Sequence, residues 1–240
     1  MTVLLGLTTR LRQARLYLRT SLRAGTGDFD EFLASVITGG VDIIEVSQPG
    51  VDPQLALDHL RRARAAAAAR QKLIAVDDDP ELAGRFRADV LRLADPAGSA
   101  QARTRLSPWA LIGATVSEPA AAEAALADPE IAYLSVGPVF PGPGRSGTPA
   151  IGLDLIGQLT RTAPVGSAEA KPWFAAGGID EHNLDQVLDA GARRIEVSAA
   201  IGDSPDPEAA ARRLRQRLDE RWRTDPQLRR SGPRLFGKRN

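Results

Sequence analysis

The chain has 240 residues, 43% of them hydrophobic, with 31 basic and 30 acidic side chains for a net charge of +1. That size suits one large domain with a sizeable core, and the interleaved charges announce no nucleic-acid or acidic-partner surface. The absence of cysteine excludes disulfides, thiolate metal sites and a cysteine nucleophile. No apolar run approaches the ~20 residues that span a bilayer, and no signal-peptide pattern opens the chain, so a cytoplasmic protein without membrane contact is expected.

Short apolar runs alternate with helical patterns along the chain. After an N-terminal extension (1–14), Leu16-Tyr-Leu18 reads as a first strand, and Phe29 to Thr38 as a helix stopped by Gly39-Gly40. Val41 to Val46 is the second strand, followed by a long Ala/Arg/Leu helix from Leu55 to Arg70. Strands three to five are Leu73 to Val76, Val90 to Leu93 and Ala110 to Gly113, with helices near Glu81 to Arg87 and Ser99 to Leu106 between them. Glu118 to Leu126 is the next helix and Ile131 to Val136 the sixth strand. Helices near Leu153 to Thr162, Glu181 to Ala190 and Glu208 to Trp222 interleave with strands Pro172 to Ala175 and Arg194 to Val197. About eight β/α units in one domain (15–223) predict a TIM (β/α)8 barrel. No glycine-rich dinucleotide or P-loop fingerprint follows the first strand, which weakens a doubly wound sheet. Residues 224–240 gather arginines and lysines among prolines and glycines and read as a mobile basic tail.

The strands that end in glycine or serine carry the functional reading. Tyr133 to Gly147, Phe174-Ala-Ala-Gly-Gly-Ile179 and Ile195-Glu-Val-Ser198 are buried-strand patterns that deliver loops to one rim. Gly177 and Gly178 let the backbone approach an anion closely. A helix expected to start near Asp180 adds partial positive charge, and Ser198 with Ala199 offers a hydroxyl and N–H groups to the same anion. Phosphate sites on the last two strand loops recur in such barrels, whereas Gly-Gly alone serves as readily for a tight turn. Asp77-Asp78-Asp79 follows the third strand, either as a cation or polar-ligand site or as a solvated turn that starts a helix at Pro80. Glu45, ending an apolar strand, needs a cation or the barrel mouth. His59 reads as a packing or surface residue, His182 as a helix-start residue, and Trp109, Trp173 and Trp222 as core or interface side chains.

Val41-Asp-Ile-Ile44, Gly137-Pro-Val-Phe-Pro141, Lys171 to Ile179 and Leu188 to Ile195 together resemble the thiamine phosphate synthases and the related thiazole tautomerases, from about Arg15 to about Leu218. The resemblance implies a TIM barrel that joins hydroxymethylpyrimidine diphosphate to thiazole phosphate. It further implies Mg²⁺-assisted departure of pyrophosphate and capture of a pyrimidine carbocation by the thiazole nitrogen. It places the phosphate-binding set at Gly137, Gly177, Gly178, Ser198 and Ala199. The family's Gln, Arg and Lys after the second strand become Glu45-Val-Ser-Gln-Pro49, which removes the diphosphate grip and adds a carboxylate. Its Asn-Asp pair becomes Asp77-Asp78, with Asp77 as a substrate-side group and Asp78 as a metal ligand. Its second metal aspartate is matched only by Asp95, in the shortened turn Ala94-Asp95-Pro-Ala-Gly98. The strand-five serine becomes Thr115, which keeps a hydroxyl, and the histidine of the tautomerases becomes Ser117. The Thr-x-Thr-Lys loop becomes Gly142-Pro-Gly-Arg145, so that Arg145 retains the charge without the hydroxyls.

The expectation is therefore a synthase-like protein with an eroded diphosphate and Mg²⁺ site, in which Arg145 and Thr115 are the catalytic candidates. The alternatives are a non-catalytic paralogue that binds a phosphorylated ligand or a regulatory partner, and another small-molecule enzyme that uses Glu45 and the aspartates as acid/base groups. A phosphorylated small molecule is the expected ligand, and homo-oligomerisation is left open.

Overall fold

The computed structural model describes residues 6–47, 49–142 and 149–230, the side chains of 229 and 230 excepted. Eight parallel strands close into a barrel in sequence order: β1 (Leu16–Thr20), β2 (Ile43–Val46), β3 (Leu73–Asp77), β4 (Val90–Leu93), β5 (Leu111–Val116), β6 (Ile131–Val136), β7 (Trp173–Ala176) and β8 (Ile195–Val197). β1 pairs with β8 to shut the ring, Leu16 opposite Ile195. The expected TIM barrel is present.

The helices are α1 (Leu7–Gln13), α2 (Phe29–Gly39), α3 (Pro53–Ala68), α4 (Pro80–Phe86), α5 (Ser99–Arg103), α6 (Pro119–Ala127), α7 (Asp154–Thr162), α8 (Leu184–Asp189), α9 (Ala199–Gly202), α10 (Pro207–Thr224) and α11 (Pro226–Arg230). Asp-Pro pairs open three of them: Asp52, Asp79 and Asp206 accept N–H bonds at the first turns of α3, α4 and α10, with proline at the first helical position.

Strand side chains alternate between two environments, as the period of two requires. Leu18, Ile44, Val76, Leu91, Ile112 and Leu134 face the helices in the large outer core. Tyr17, Ile43, Leu73, Val90, Leu111, Tyr133 and Phe174 point into the bore and meet Leu11 of α1 there. The N-terminal extension is thus part of the barrel: α1 closes the end where the strands begin. Gly113 on β5 makes room for the Tyr133 ring, since a Cβ there would lie 2.1 Å from its Cζ.

Two sequence expectations change. Trp109, expected in the core or an interface, is 76% exposed and so is not in the core. Structure also continues past 224, because buried Asp225 pairs with Arg193 at 2.6 Å and its carboxylate accepts the Gln227 N–H at 2.7 Å, which starts α11. His59 packs as expected, its ring 4.9 Å from that of Phe29.

Candidate functional site

A cavity of about 810 Å³ opens where the strands end, over β1, β6, β7 and β8. Gly177, Gly178, Ser198 and Ala199 line it, with Arg19 and Glu196 on its inner wall. Among the described residues, the backbone N–H groups of Gly178, Ser198, Ala199 and Ala200 have no acceptor. Gly177 and Gly178 sit at φ +90° and +65°, and a Cβ on Gly178 would lie 2.6 Å from the carbonyl oxygens of both Phe140 and Pro141. Only glycine fits that backbone against the β6 loop. Asn183 locks the turn: its Nδ2 donates to the Gly178 carbonyl at 2.7 Å while its Oδ1 accepts the Asp180 N–H at 3.0 Å. The expected helix at Asp180 does not form there. The Asp180 carboxylate accepts the N–H groups of His182 and Asn183 and its carbonyl the Leu184 N–H, a capping turn that leads into α8 at Leu184.

Below the cavity the bore is filled by charge. Glu45 is fully buried and accepts from Arg92 Nε at 2.9 Å, Arg19 Nε at 2.6 Å and the Tyr17 hydroxyl at 2.7 Å. Arg92 also bonds Asp77 and donates to the Thr115 hydroxyl at 2.6 Å. Arg19 Nη2 and Ser47 Oγ complete the ring around Asp77, at 2.8 and 2.6 Å. Glu196 accepts the Ser135 hydroxyl at 2.6 Å but lies 3.9 Å from Arg19. Two guanidiniums therefore serve three carboxylates, of which Glu45 and Glu196 are buried and Asp77 half-buried, and Glu196 is the carboxylate with the weakest pairing.

The titration shifts follow that imbalance. Burial, then the neighbouring Glu45 charge, lifts Tyr17 well above its ordinary value. Arg92 is held firmly charged: burial opposes it, but Glu45 and then Glu196 outweigh that cost. Burial raises Glu196 above the ordinary 4.5, with Glu45 adding to the effect. A raised folded-state value means that the stabilising contribution of Glu196 is complete below about pH 4.5 and is lost as pH rises through the folded value. Glu196→Gln, which mimics the protonated acid, should accordingly gain melting temperature relative to the parent as pH rises above about 4.5. A difference that stays flat with pH in thermal unfolding would refute this.

The residues singled out by sequence divide among three places. Gly177, Gly178, Ser198 and Ala199 meet at the mouth cavity. Gly137 lies beneath it, where a Cβ would come 2.0 Å from the Ala176 carbonyl, so it serves close packing of β6 on β7. Thr115 and Asp77 belong to the charged layer, where Arg92 engages both. Arg145 lies outside the described residues. Asp78 and Asp95 line a separate cavity of about 460 Å³ between α4 and the β4 loop. There Asp78 accepts the Ala94 N–H at 2.8 Å and Asp95 the Ala97 N–H at 2.9 Å. Among the described residues no three His, Cys, Asp or Glu side chains converge to hold a metal. Asp78 and Asp95, the metal candidates of the resemblance, thus stand in one cavity with one oxygen of each bound to backbone N–H, and no third such side chain joins them among the described residues.

Sequence reasoning missed Arg19, Arg92, Ser135 and Glu196. Their signal was a charged or hydroxyl side chain at an inward position of an otherwise apolar strand, as in Val90-Leu-Arg-Leu93 and Ile195-Glu-Val197.

Comparison with known proteins agrees with the barrel and extends beyond it. The sequence profile described as thiamine monophosphate synthase matches residues 16–201. A thiamine-phosphate synthase of Streptomyces avermitilis is 41% identical over 214 residues, 87% of this chain and 95% of that protein. One of Thermobifida fusca is 40% identical over 210 residues, 87% of this chain and 94% of that protein. The solved thiamine phosphate pyrophosphorylase of Pyrococcus furiosus superposes with a TM-score of 0.73 at 23% identity, covering 89% of this chain and 98% of its own, which speaks for the fold. A profile that spans all eight strands, together with relatives matched over nearly their full length, settles the lineage: this chain belongs to the thiamine monophosphate synthase family.

Proposed function

We propose that the mouth cavity binds a phosphorylated small molecule of the thiazole phosphate type through the Gly178 and Ser198 loops, and that the diphosphate half of the family reaction is poorly served. The unpaired N–H groups of Gly178, Ser198, Ala199 and Ala200, converging on one cavity, carry the first part. Arg19 and Arg92 support the second: both are consumed by Glu45 and Asp77, leaving less positive charge for a leaving diphosphate. Losing one donor aimed at developing charge costs about 10²–10³ in rate, so slow turnover at best is expected. A competent synthase is the second reading, favoured by the 41% identity to a thiamine-phosphate synthase.

Calorimetric titration with thiazole phosphate, followed by a turnover assay with hydroxymethylpyrimidine diphosphate, separates the two readings. The expected result is saturable binding of thiazole phosphate, unchanged by EDTA because no carboxylate–metal bridge contributes, with turnover at least about 100-fold below an intact synthase. Ser198→Asp should abolish that binding, since its carboxylate sets like charge against the phosphate on an exposed loop where the fold does not depend on it. Binding unaffected by this substitution removes the phosphate cup, and full turnover removes the claim of impaired chemistry.

A further inference from the structure

At the opposite end of the barrel, where the strands begin, lies a cavity of about 540 Å³ whose lining includes Arg10, Arg15, Arg70, Lys72 and Arg215. The one acid in its wall, Asp42, is already saturated. It pairs with Lys72 Nζ at 2.8 Å and Arg215 Nη1 at 2.6 Å, and accepts the Arg15 N–H at 2.8 Å. Burial alone would raise its pKa, but Lys72 and Arg215 hold it below the usual carboxylate range. Asp219 is the second carboxylate, shared by Arg15 at 2.5 Å and Arg215 at 2.7 Å. Five cations against two carboxylates leave three positive charges unmatched.

Two of the five cations, Arg10 and Arg70, form no ion pair among the described residues, and the other three share the two carboxylates. Arg70 is exposed and forms no ion pair among the described residues. Arg10 makes one long contact, from Nη1 to the Gln71 carbonyl at 3.4 Å. The Nε atoms of Arg10 and Arg15 are buried without an acceptor, an unusual cost in a folded protein. Behind this wall Arg194, only 5% exposed, donates to the Ala14 carbonyl at 3.1 Å and the Arg12 carbonyl at 2.9 Å and stacks on Trp222, with no carboxylate partner among the described residues. Burial, then the charges of Arg12 and Arg15, pushes its pKa down to about 9. Burial is the larger cause, and the repulsion from Arg12 and Arg15 adds to it.

We propose that this N-terminal end carries a second anion site, separate from the mouth, for an oligophosphate group. Guanidinium forks match phosphate oxygens in pairs, and three unmatched charges in a cavity of this size suit a diphosphate or triphosphate better than a single phosphate. Free oligophosphate and the phosphate chain of a nucleotide present the same chemistry to these residues.

Titration of the full chain with pyrophosphate, tripolyphosphate and ATP tests the site. The expected result is saturable one-to-one binding of tripolyphosphate that survives about 0.15 M salt, where the screening length is about 8 Å. Arg70→Glu alone should weaken it roughly tenfold, and Arg10→Glu with Arg70→Glu roughly 100-fold, each tenfold step corresponding to about 1.4 kcal/mol. Ser198→Asp at the mouth should leave it intact. Equal affinity for ATP and tripolyphosphate identifies the oligophosphate alone as what is read, and tighter ATP binding identifies a nucleotide. The proposal is overturned by no saturable binding, by binding that vanishes at 0.15 M salt, or by binding lost in Ser198→Asp but retained in the double Arg→Glu variant. Because Arg70 is exposed, its single variant tests the site even if the double variant unfolds.

Discussion

Glu45→Gln is expected to lower the unfolding free energy by about 3–5 kcal/mol, the range for breaking a buried ion pair from one side. The carboxylate accepts from Arg92, Arg19 and the Tyr17 hydroxyl. Removing its charge leaves the Arg92 guanidinium, 4% exposed, with Asp77 as its only directly paired carboxylate. A buried cation that has lost its bidentate carboxylate partner and keeps only the pair with Asp77 cannot relax toward water from the middle of the bore, so the loss falls on the folded state. Arg92→Met in the same background should return part of it, because an apolar side chain of similar length removes the orphaned charge. Chemical denaturation of the parent, both single variants and the double closes the cycle. A loss below about 1 kcal/mol for Glu45→Gln would mean that water reaches this layer and that the network is an exposed one.

Gly178→Ala should act at the other end of the charged layer, and on two observables at once. Its φ of +65° and the two carbonyl oxygens 2.6 Å from a built Cβ leave no room for a methyl group without shifting the β6 loop. Left-handed backbone costs a non-glycine residue about 1–2 kcal/mol, and overpacking adds about 1–3 kcal/mol. Gly178 itself carries one of the N–H groups of the cup, so displacing its backbone away from the β6 loop should lower thiazole phosphate affinity at least about 100-fold while the melting temperature drops. If stability falls while affinity does not, the glycine is a packing device and the anion sits elsewhere. Comparison with Ser198→Asp, which leaves the backbone alone, separates lost geometry from added charge.

The barrel was legible because its information is local. Eight apolar runs spaced by helical patterns, each ending in turn residues, allow few other topologies, and the strand positions agree with the structure to within a few residues. β5 extends three residues beyond its expected end at Gly113, because Ala114-Thr115-Val116 continues the pairing with Leu134-Ser135-Val136. That Gly177, Gly178 and Ser198 line one cavity was legible for a similar reason: they stand directly after their strands. The charged layer was not. Arg19, Glu45, Asp77, Arg92 and Glu196 lie on five different strands, and only the closed ring makes them neighbours. Read singly, an arginine in Leu91-Arg-Leu93 is a blemish in an apolar pattern; read around the barrel, it is the partner that Glu45 requires. The anion cavity at the N-terminal end was equally hidden, since its cations come from α1, α10 and the approaches to β1 and β3.

The paired charges across the bore also constrain how such a protein can diverge. Widening the pocket downward, to admit a longer ligand, requires a cation and a carboxylate to be lost together, because either loss alone leaves an ion stranded among buried neighbours. Single nucleotide changes rarely provide such coordinated steps, whereas the loops that end β6, β7 and β8 tolerate substitution one residue at a time. New ligand preferences in this lineage are therefore expected to arise by exchanging rim loops above a fixed ionic floor, and the depth of the site should be its most slowly changing dimension.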